Sequence, residues 1–206
     1  MRTELAYSCE CGELRGRVSG PRGHRVVCYC LDCQAFAHFL GRTDVLDSHG
    51  GSHVYQVSSA EVSFDSPGNL GALCLLPGNK RKTIRFYATC CKSPVGNTTE
   101  SAGFPFIGLL ESGLSADGQS LDRALGPVDC AVGRKDATVD PDELPEHPKF
   151  GKRLMLSLMF RVLKRKLAGH ARRSPFHDAR AGGPSVAVHE LTDEEIHSLA
   201  PYQRPG

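Results

Sequence analysis

RVVCYCLDC, residues 25–33, is the stretch on which the reading of this chain turns. Residues 25–30 are rich in β-branched and aromatic types, which suit a strand. A helical pattern then opens at Leu31 and runs to Leu40, where Gly41 ends it; Cys33, Phe36, Ala37 and Leu40 fall on one face. Side chains alternate along a strand, so Cys28 and Cys30 share a side, and Cys33 comes back to them after a tight turn. Strand, turn and helix thus gather three thiols at one place.

Outward from that stretch the pattern is mostly β. Residues 13–19 (ELRGRVS) alternate loosely, and 54–58 (VYQVS) and 61–65 (EVSFD) read as a pair of strands. Residues 73–76, 83–89 (TIRFYAT) and 104–110 follow. Pro67-Gly68, Pro77-Gly78 and Ser112-Gly113 punctuate them. Residues 111–148 look irregular, since Pro127, Pro141, Pro145 and Pro148 exclude a long helix. The expected organisation is a mainly β domain over residues 1–130. Residues 131–206 then add a loop, a long helix at about 150–170 and a short terminal helix packed on the domain.

Composition narrows the class. The chain has 206 residues with 40% apolar and 23% charged types, the balance of a globular protein. The net charge of +2 gives no general argument for nucleic acid, and none is expected as a partner. No apolar run reaches the roughly 18 residues of a spanning helix. The N-terminus, MRTELAYSCE, has no apolar core of a signal peptide, so a cytoplasmic protein is expected. Oligomeric state is not legible.

There are nine cysteines, an odd number, and nothing marks the chain as secreted. Metal binding or catalysis therefore outranks a disulfide scaffold. Seven of them form three tight groups: Cys9 with Cys11, Cys28 with Cys30 and Cys33, and Cys90 with Cys91. A zinc ion takes four ligands in a tetrahedron, and thiolates suit it. Cys9 and Cys11 lie on one side of an extended chain and need two partners, for which Cys91 and Cys90 are the obvious suppliers. Both can reach one ion only if the chain turns, as Lys92-Ser93-Pro94 allows.

Cys28, Cys30 and Cys33 either leave a fourth position open, as catalytic zinc sites do, or close it with His24, His38, His49 or His53. An open position favours a ligand that is itself a thiol, because zinc stabilises the thiolate form. Cys74, within LCLL, reads as a buried small hydrophobe. Arg85 and Tyr87 either face a cleft or cover a strand face. Arg42 and Lys80-Arg81-Lys82 are candidate contacts for the carboxylates of a small peptide thiol, although the latter run reads first as a solvated turn.

The order Cys9-x-Cys11-Gly12, then Cys28-x-Cys30-x-x-Cys33, then Cys91-x-Ser93-Pro94 resembles the glutathione-dependent formaldehyde-activating enzymes and the related centromere protein V-like proteins, in an uncharacterised bacterial branch. The resemblance covers roughly residues 5–110. It implies a β-tent fold of small antiparallel sheets with a C-terminal helical extension, holding one or two zinc ions. It implies a structural zinc site at Cys9, Cys11 and Cys91, and a second at Cys28, Cys30 and Cys33 that binds the thiol substrate and carries catalysis. The implied reaction is that of a carbon–sulfur lyase forming S-hydroxymethylglutathione. The late motif of that family has Phe-Cys-x-x-Cys-Gly. Here Ala88 stands in place of its first Cys and Lys92 in place of its Gly. Cys90 then either replaces the missing thiolate, leaves the first site degraded, or turns toward the second site and closes it.

Residues 149–173 differ from everything before them. They carry nine Lys/Arg (Lys149, Lys152, Arg153, Arg161, Lys164, Arg165, Lys166, Arg172, Arg173) and no Asp or Glu. Leu154, Met155, Leu158, Met159, Val162 and Leu163 recur at helical spacing, widened by Leu156 and Phe160, opposite Arg153, Ser157, Arg161 and Lys164. The apolar face is expected to pack on the domain or a partner, or to lie on an anionic membrane. The alternative to an enzyme is therefore a non-catalytic, zinc-stabilised binding module that uses this helix on a protein or membrane partner. Thr192 is placed to cap Asp193-Glu194-Glu195 in a capping box.

Overall fold

The computed structural model describes residues 2–75, 83–178 and 180–199. Twelve strands are present among them: β1 (Arg2–Ser8), β2 (Arg15–Pro21), β3 (His24–Cys28), β4 (Ser52–Val57), β5 (Val62–Phe64), β6 (Leu70–Cys74), β7 (Thr83–Ala88), β8 (Pro94–Thr99), β9 (Ile107–Leu110), β10 (Leu114–Ser115), β11 (Cys130–Val132) and β12 (Val188–Glu190). Four helices accompany them: α1 (Leu31–Leu40), α2 (Leu121–Leu125), α3 (Lys152–Leu167) and α4 (Asp193–Ser198). The fold is mainly β with a C-terminal helix, as the sequence implies. The turn at Pro77-Gly78 and the run Lys80-Arg81-Lys82 lie outside the described residues.

One sheet has four antiparallel strands in the order β10-β1-β2-β5. The other has eight, in the order β11-β3-β4-β9-β8-β7-β6-β12, and is larger than the small sheets expected. Its interior is antiparallel, while β11 and β12 add to its two edges in parallel register. Strand β11 lies within the stretch read as irregular and β12 well beyond it, and three-residue runs such as CAV and VHE are too short to show a period. The same stretch includes α2, capped by Ser120, whose hydroxyl accepts from the Arg123 amide.

The main core unites residues of both sheets. Leu5, Tyr7 and Val18 come from the smaller sheet, and Tyr55, Phe86, Ile107 and Leu109 from the larger. Phe176, far along the chain, is fully buried in this core and meets Phe64 and Phe86 edge to face. Cys74 is buried there too, as expected. A second cluster seats α1 on the larger sheet through Ala35, Phe36 and Leu40 against Leu73, Leu75, Leu191 and Leu199.

Strand β7 separates the two clusters by parity. Ile84, Phe86 and Ala88 enter the main core, so Arg85 and Tyr87 point to the α1 side. The end of α1 is fixed by Gly41 at φ 67°, with the Arg42 amide donating to the Ala37 carbonyl, a C-terminal cap that needs a left-handed residue. The capping box at α4 forms as read: the Thr192 amide donates to the Glu195 carboxylate at 2.7 Å and the Glu195 amide to the Thr192 hydroxyl at 3.3 Å.

Helix α3 takes one of the arrangements the sequence left open, with its apolar stripe turned mostly away from the domain. None of its residues is buried. Leu154, Leu158 and Val162 are half-buried on the inner side, and Arg161 and Arg165 share that side with them. Arg161 donates to the Arg22 carbonyl at 2.8 Å, and Arg165 pairs with Glu61 at 3.0 Å. Cations rather than apolar side chains hold the helix to the domain, which leaves most of the apolar stripe outward.

Candidate functional site

Two turns build the first cysteine group. After β1 the chain reverses through residues 9–14. The Cys9 amide donates to the Leu14 carbonyl and the Gly12 amide to the Cys9 carbonyl, with Gly12 at φ 78°. Cys9 and Cys11 thus sit on a turn rather than on the extended strand expected. Between β7 and β8 a second turn carries Cys90 and Cys91; the Lys92 amide donates to the Ala88 carbonyl, and Lys92 itself adopts φ 57°. A left-handed conformation is strained for a side-chain-bearing residue and natural for glycine.

The two turns face each other. Cys9 Sγ lies 3.6 Å from Cys11 Sγ and 3.7 Å from Cys90 Sγ, Cys11 lies 3.3 Å from Cys90, and Cys90 lies 3.9 Å from Cys91. All four sulfurs fall within 4.8 Å of one another. Cys90 is thus the thiol of the second turn that meets both Cys9 and Cys11. Ala88 is the last residue of β7 and fully buried in the main core. The group could hold a metal ion.

Supporting contacts surround these thiols. The Leu14 amide donates to Cys9 Sγ at 3.3 Å. Ser93 Oγ lies 3.1 Å from Cys91 Sγ and accepts from the Glu10 amide and from Arg42, each at 3.0 Å. Arg42 also pairs with Glu10 at 2.8 Å and with Asp44 at 2.8 Å. It thus ties the two cysteine turns together. Burial pushes the Cys90 thiol up to about 12, reinforced by its thiol neighbours. Burial also opposes ionisation of Cys91, but hydrogen bonds from Ser93, the backbone and Cys11 outweigh it and bring that thiol down to about 6.

The second group is formed at a strand end and a helix start. Cys28 ends β3, Cys30 is the N-cap of α1, and Cys33 lies in the first turn, its amide donating to the Cys30 carbonyl at 3.0 Å. Cys28 and Cys30 sulfurs are 3.2 Å apart, and all three fall within 4.8 Å. The bend between strand and helix is held from two sides. Gln34, buried, donates to the Tyr29 and Asp136 carbonyls, both at 2.7 Å. Gly133, at φ 69°, lets the backbone after β11 pass so close that a Cβ there would lie 2.6 Å from the Cys30 nitrogen.

No histidine or carboxylate among the described residues joins these three sulfurs. His53 faces Asp47 at 3.3 Å, His49 shares that aspartate, and His24 lies 3.7 Å from Asp129. Cys90 belongs to the other group. The described residues thus supply three ligands here and four at the first group.

The residue that sequence reasoning left undecided is Arg85. It is 4% exposed, its Nη1 is 3.8 Å from Cys33 Sγ, and its guanidinium stacks over Phe36 at 5.4 Å. Burial opposes its charge, but the negative charge of Cys33 and Cys30 more than offsets that. The Cys33 thiol is in turn held well below the ordinary range by hydrogen bonds from Cys28 and Cys30, against burial and with help from Arg85. The signal was present in TIRFYA: an arginine at a strand position whose neighbours Ile84 and Phe86 face the core must point at whatever covers the opposite face. Tyr87, half-buried, instead lines a groove of about 570 Å³ with His38, Phe39 and His189.

Among the described residues no helix is long and apolar enough to cross a membrane. No curated protein matches the chain. Residues 1–190, nearly its whole length, match the family of unknown function DUF6151, and the chain belongs to that family.

Proposed function

We propose that this protein is a two-site zinc protein in which Cys9, Cys11, Cys90 and Cys91 close a structural centre and Cys28, Cys30 and Cys33 form an open centre for a small thiol. The observation that carries this reading is the contrast between four gathered thiols at one place and three at the other, the three backed by a buried arginine. Four sulfurs about a tetrahedral zinc with bonds of about 2.3 Å stand about 3.8 Å apart. Four of the six separations in the first group, at 3.3–3.9 Å, lie near that figure, and all fall within 4.8 Å.

At the second centre a zinc ion would supply Lewis acidity and a seat for a sulfur anion. Three thiolates exceed the charge of a divalent ion by one, and a fourth anionic ligand adds another. Arg85 offsets one unit of that excess from within the protein. Cys28 and Cys30 are half-buried and so admit a ligand from solvent, while Cys33 and Arg85 form the closed floor. The incoming thiol gives up its proton to solvent. Its sulfur then adds to a carbonyl carbon, forming the carbon–sulfur bond while the carbonyl π pair moves to oxygen, which takes up a proton. The reverse breaks the same bond.

The resemblance to the glutathione-dependent formaldehyde-activating enzymes supports glutathione and formaldehyde as the first pair to try. Following S-hydroxymethylglutathione by NMR, with protein at catalytic amounts, should give a rate above the spontaneous one that disappears in Cys30→Ser. An unchanged rate with the wild-type protein removes that pair of substrates. The second reading, a zinc-stabilised binding module without chemistry, is favoured by one observation, the outward apolar face of α3.

A further inference from the structure

All the large hydrophobic side chains exposed among the described residues belong to one segment: Phe150, Met155, Leu156, Met159, Phe160, Leu163 and Leu167. Six of them lie on α3, and at 100° per residue they occupy a single outward stripe. Leu156, Phe160 and Leu167 are each more than 60% exposed. This is no accident of a loose helix. The side of α3 that meets the domain is fixed by the Arg161–Arg22 hydrogen bond and the Arg165–Glu61 pair, whose side chains are 12% and 7% exposed. Just beyond the helix, His170 Nδ1 lies 2.8 Å from Ser58 Oγ. The orientation that exposes the stripe is therefore held in place.

The cations left over lie on the same segment as the stripe. Lys149, Lys152, Arg153, Lys164, Lys166, Arg172 and Arg173 are all exposed, and residues 149–173 include no acid. A groove of about 540 Å³ runs beside the helix, with Phe160 on its wall and Arg161, Lys164 and Arg165 among its lining. A second copy of the chain, docked helix to helix, would set these cations against each other with no acid in the segment to answer them. An anionic bilayer answers all of them at once, with phosphates for the Lys and Arg heads and acyl chains for the Leu, Met and Phe.

We infer that α3 is a peripheral membrane-docking helix, which lies in the plane of an anionic lipid surface with Leu156, Met159, Phe160, Leu163 and Leu167 inserted. The docking is independent of the reaction proposed above. Co-sedimentation of the full chain with phosphatidylglycerol/phosphatidylcholine vesicles tests it, with pure phosphatidylcholine vesicles alongside. The protein should pellet with the anionic vesicles, bind pure phosphatidylcholine far less, and release as salt rises. Leu156→Ser and Phe160→Ser should each weaken partition roughly tenfold, from the apolar burial each would lose. Because both side chains already face solvent, metal content and thermal unfolding should stay unchanged. Failure of the wild type to pellet with anionic vesicles at low salt would overturn the inference. So would a concentration-dependent dimer in sedimentation velocity that the same substitutions abolish, since the stripe would then belong to a second copy.

Discussion

Cys90→Ala separates a metal ligand from an ordinary surface thiol. Cys90 is exposed on a turn, so as a mere side chain its truncation should change stability by no more than about 0.5 kcal/mol. As a ligand it counts for far more. Structural zinc contributes on the order of 10–16 kcal/mol, so one of four thiolates carries about 3 kcal/mol. That is roughly a hundredfold in affinity. For a chain of this size it is also a loss of roughly 6–12 °C in the unfolding midpoint of the metal-loaded protein.

The assay is competition with a chromophoric chelator, run beside thermal unfolding with and without chelator. Cys74→Ala is the control: Cys74 is buried in the main core and belongs to neither group. It should lower stability with metal affinity unchanged, whereas Cys90→Ala should lose affinity and lose its stability only relative to the loaded protein. If Cys90→Ala binds metal as tightly as the wild type, the four-thiolate assignment is wrong.

Other substitutions probe the supports. Arg85→Met should weaken the ion at Cys28, Cys30 and Cys33 by roughly 10–100-fold and leave the other unchanged, read as a shift in only one step of a chelator titration. Gly133→Ala forces a Cβ to within 2.6 Å of the Cys30 nitrogen at a positive φ, and should cost about 1–3 kcal/mol together with binding at that same centre. Lys92→Gly should stabilise. It relieves roughly 1–2 kcal/mol of left-handed strain and gives back about 0.5–1 in chain entropy, so the urea midpoint should rise with the slope unchanged.

The parts of the fold written in local pattern were legible. Helix α1 runs from Leu31 to Leu40 as its period and Gly41 indicate, and Thr192 caps α4 through the residues that mark a capping box. The mainly β character followed from short alternating runs between turn residues. What stayed hidden depends on distant chain. Strands β11 and β12 are three residues each and exist because a sheet edge pairs with them. Phe176 lies in no regular element, yet it fills the main core.

The candidate site shows the same division. The spacing of its cysteines made three clusters visible, but which thiols meet was decided by two facing turns. Cys90 joins Cys9 and Cys11 because Lys92 closes the second turn with φ 57°, a backbone choice that a lysine does not announce. The sequence left the apolar face of α3 to the domain, a partner or a membrane, and the choice falls to Glu61 and the Arg22 carbonyl, which draw Arg165 and Arg161 inward.

Native mass spectrometry of the purified protein, with and without glutathione, tests the central claim most directly. The account predicts two zinc ions per chain and one glutathione adduct, with the adduct and one ion lost in Cys30→Ser and the other ion retained. A single ion with no adduct, or an adduct that survives Cys30→Ser, would contradict an open three-thiolate centre.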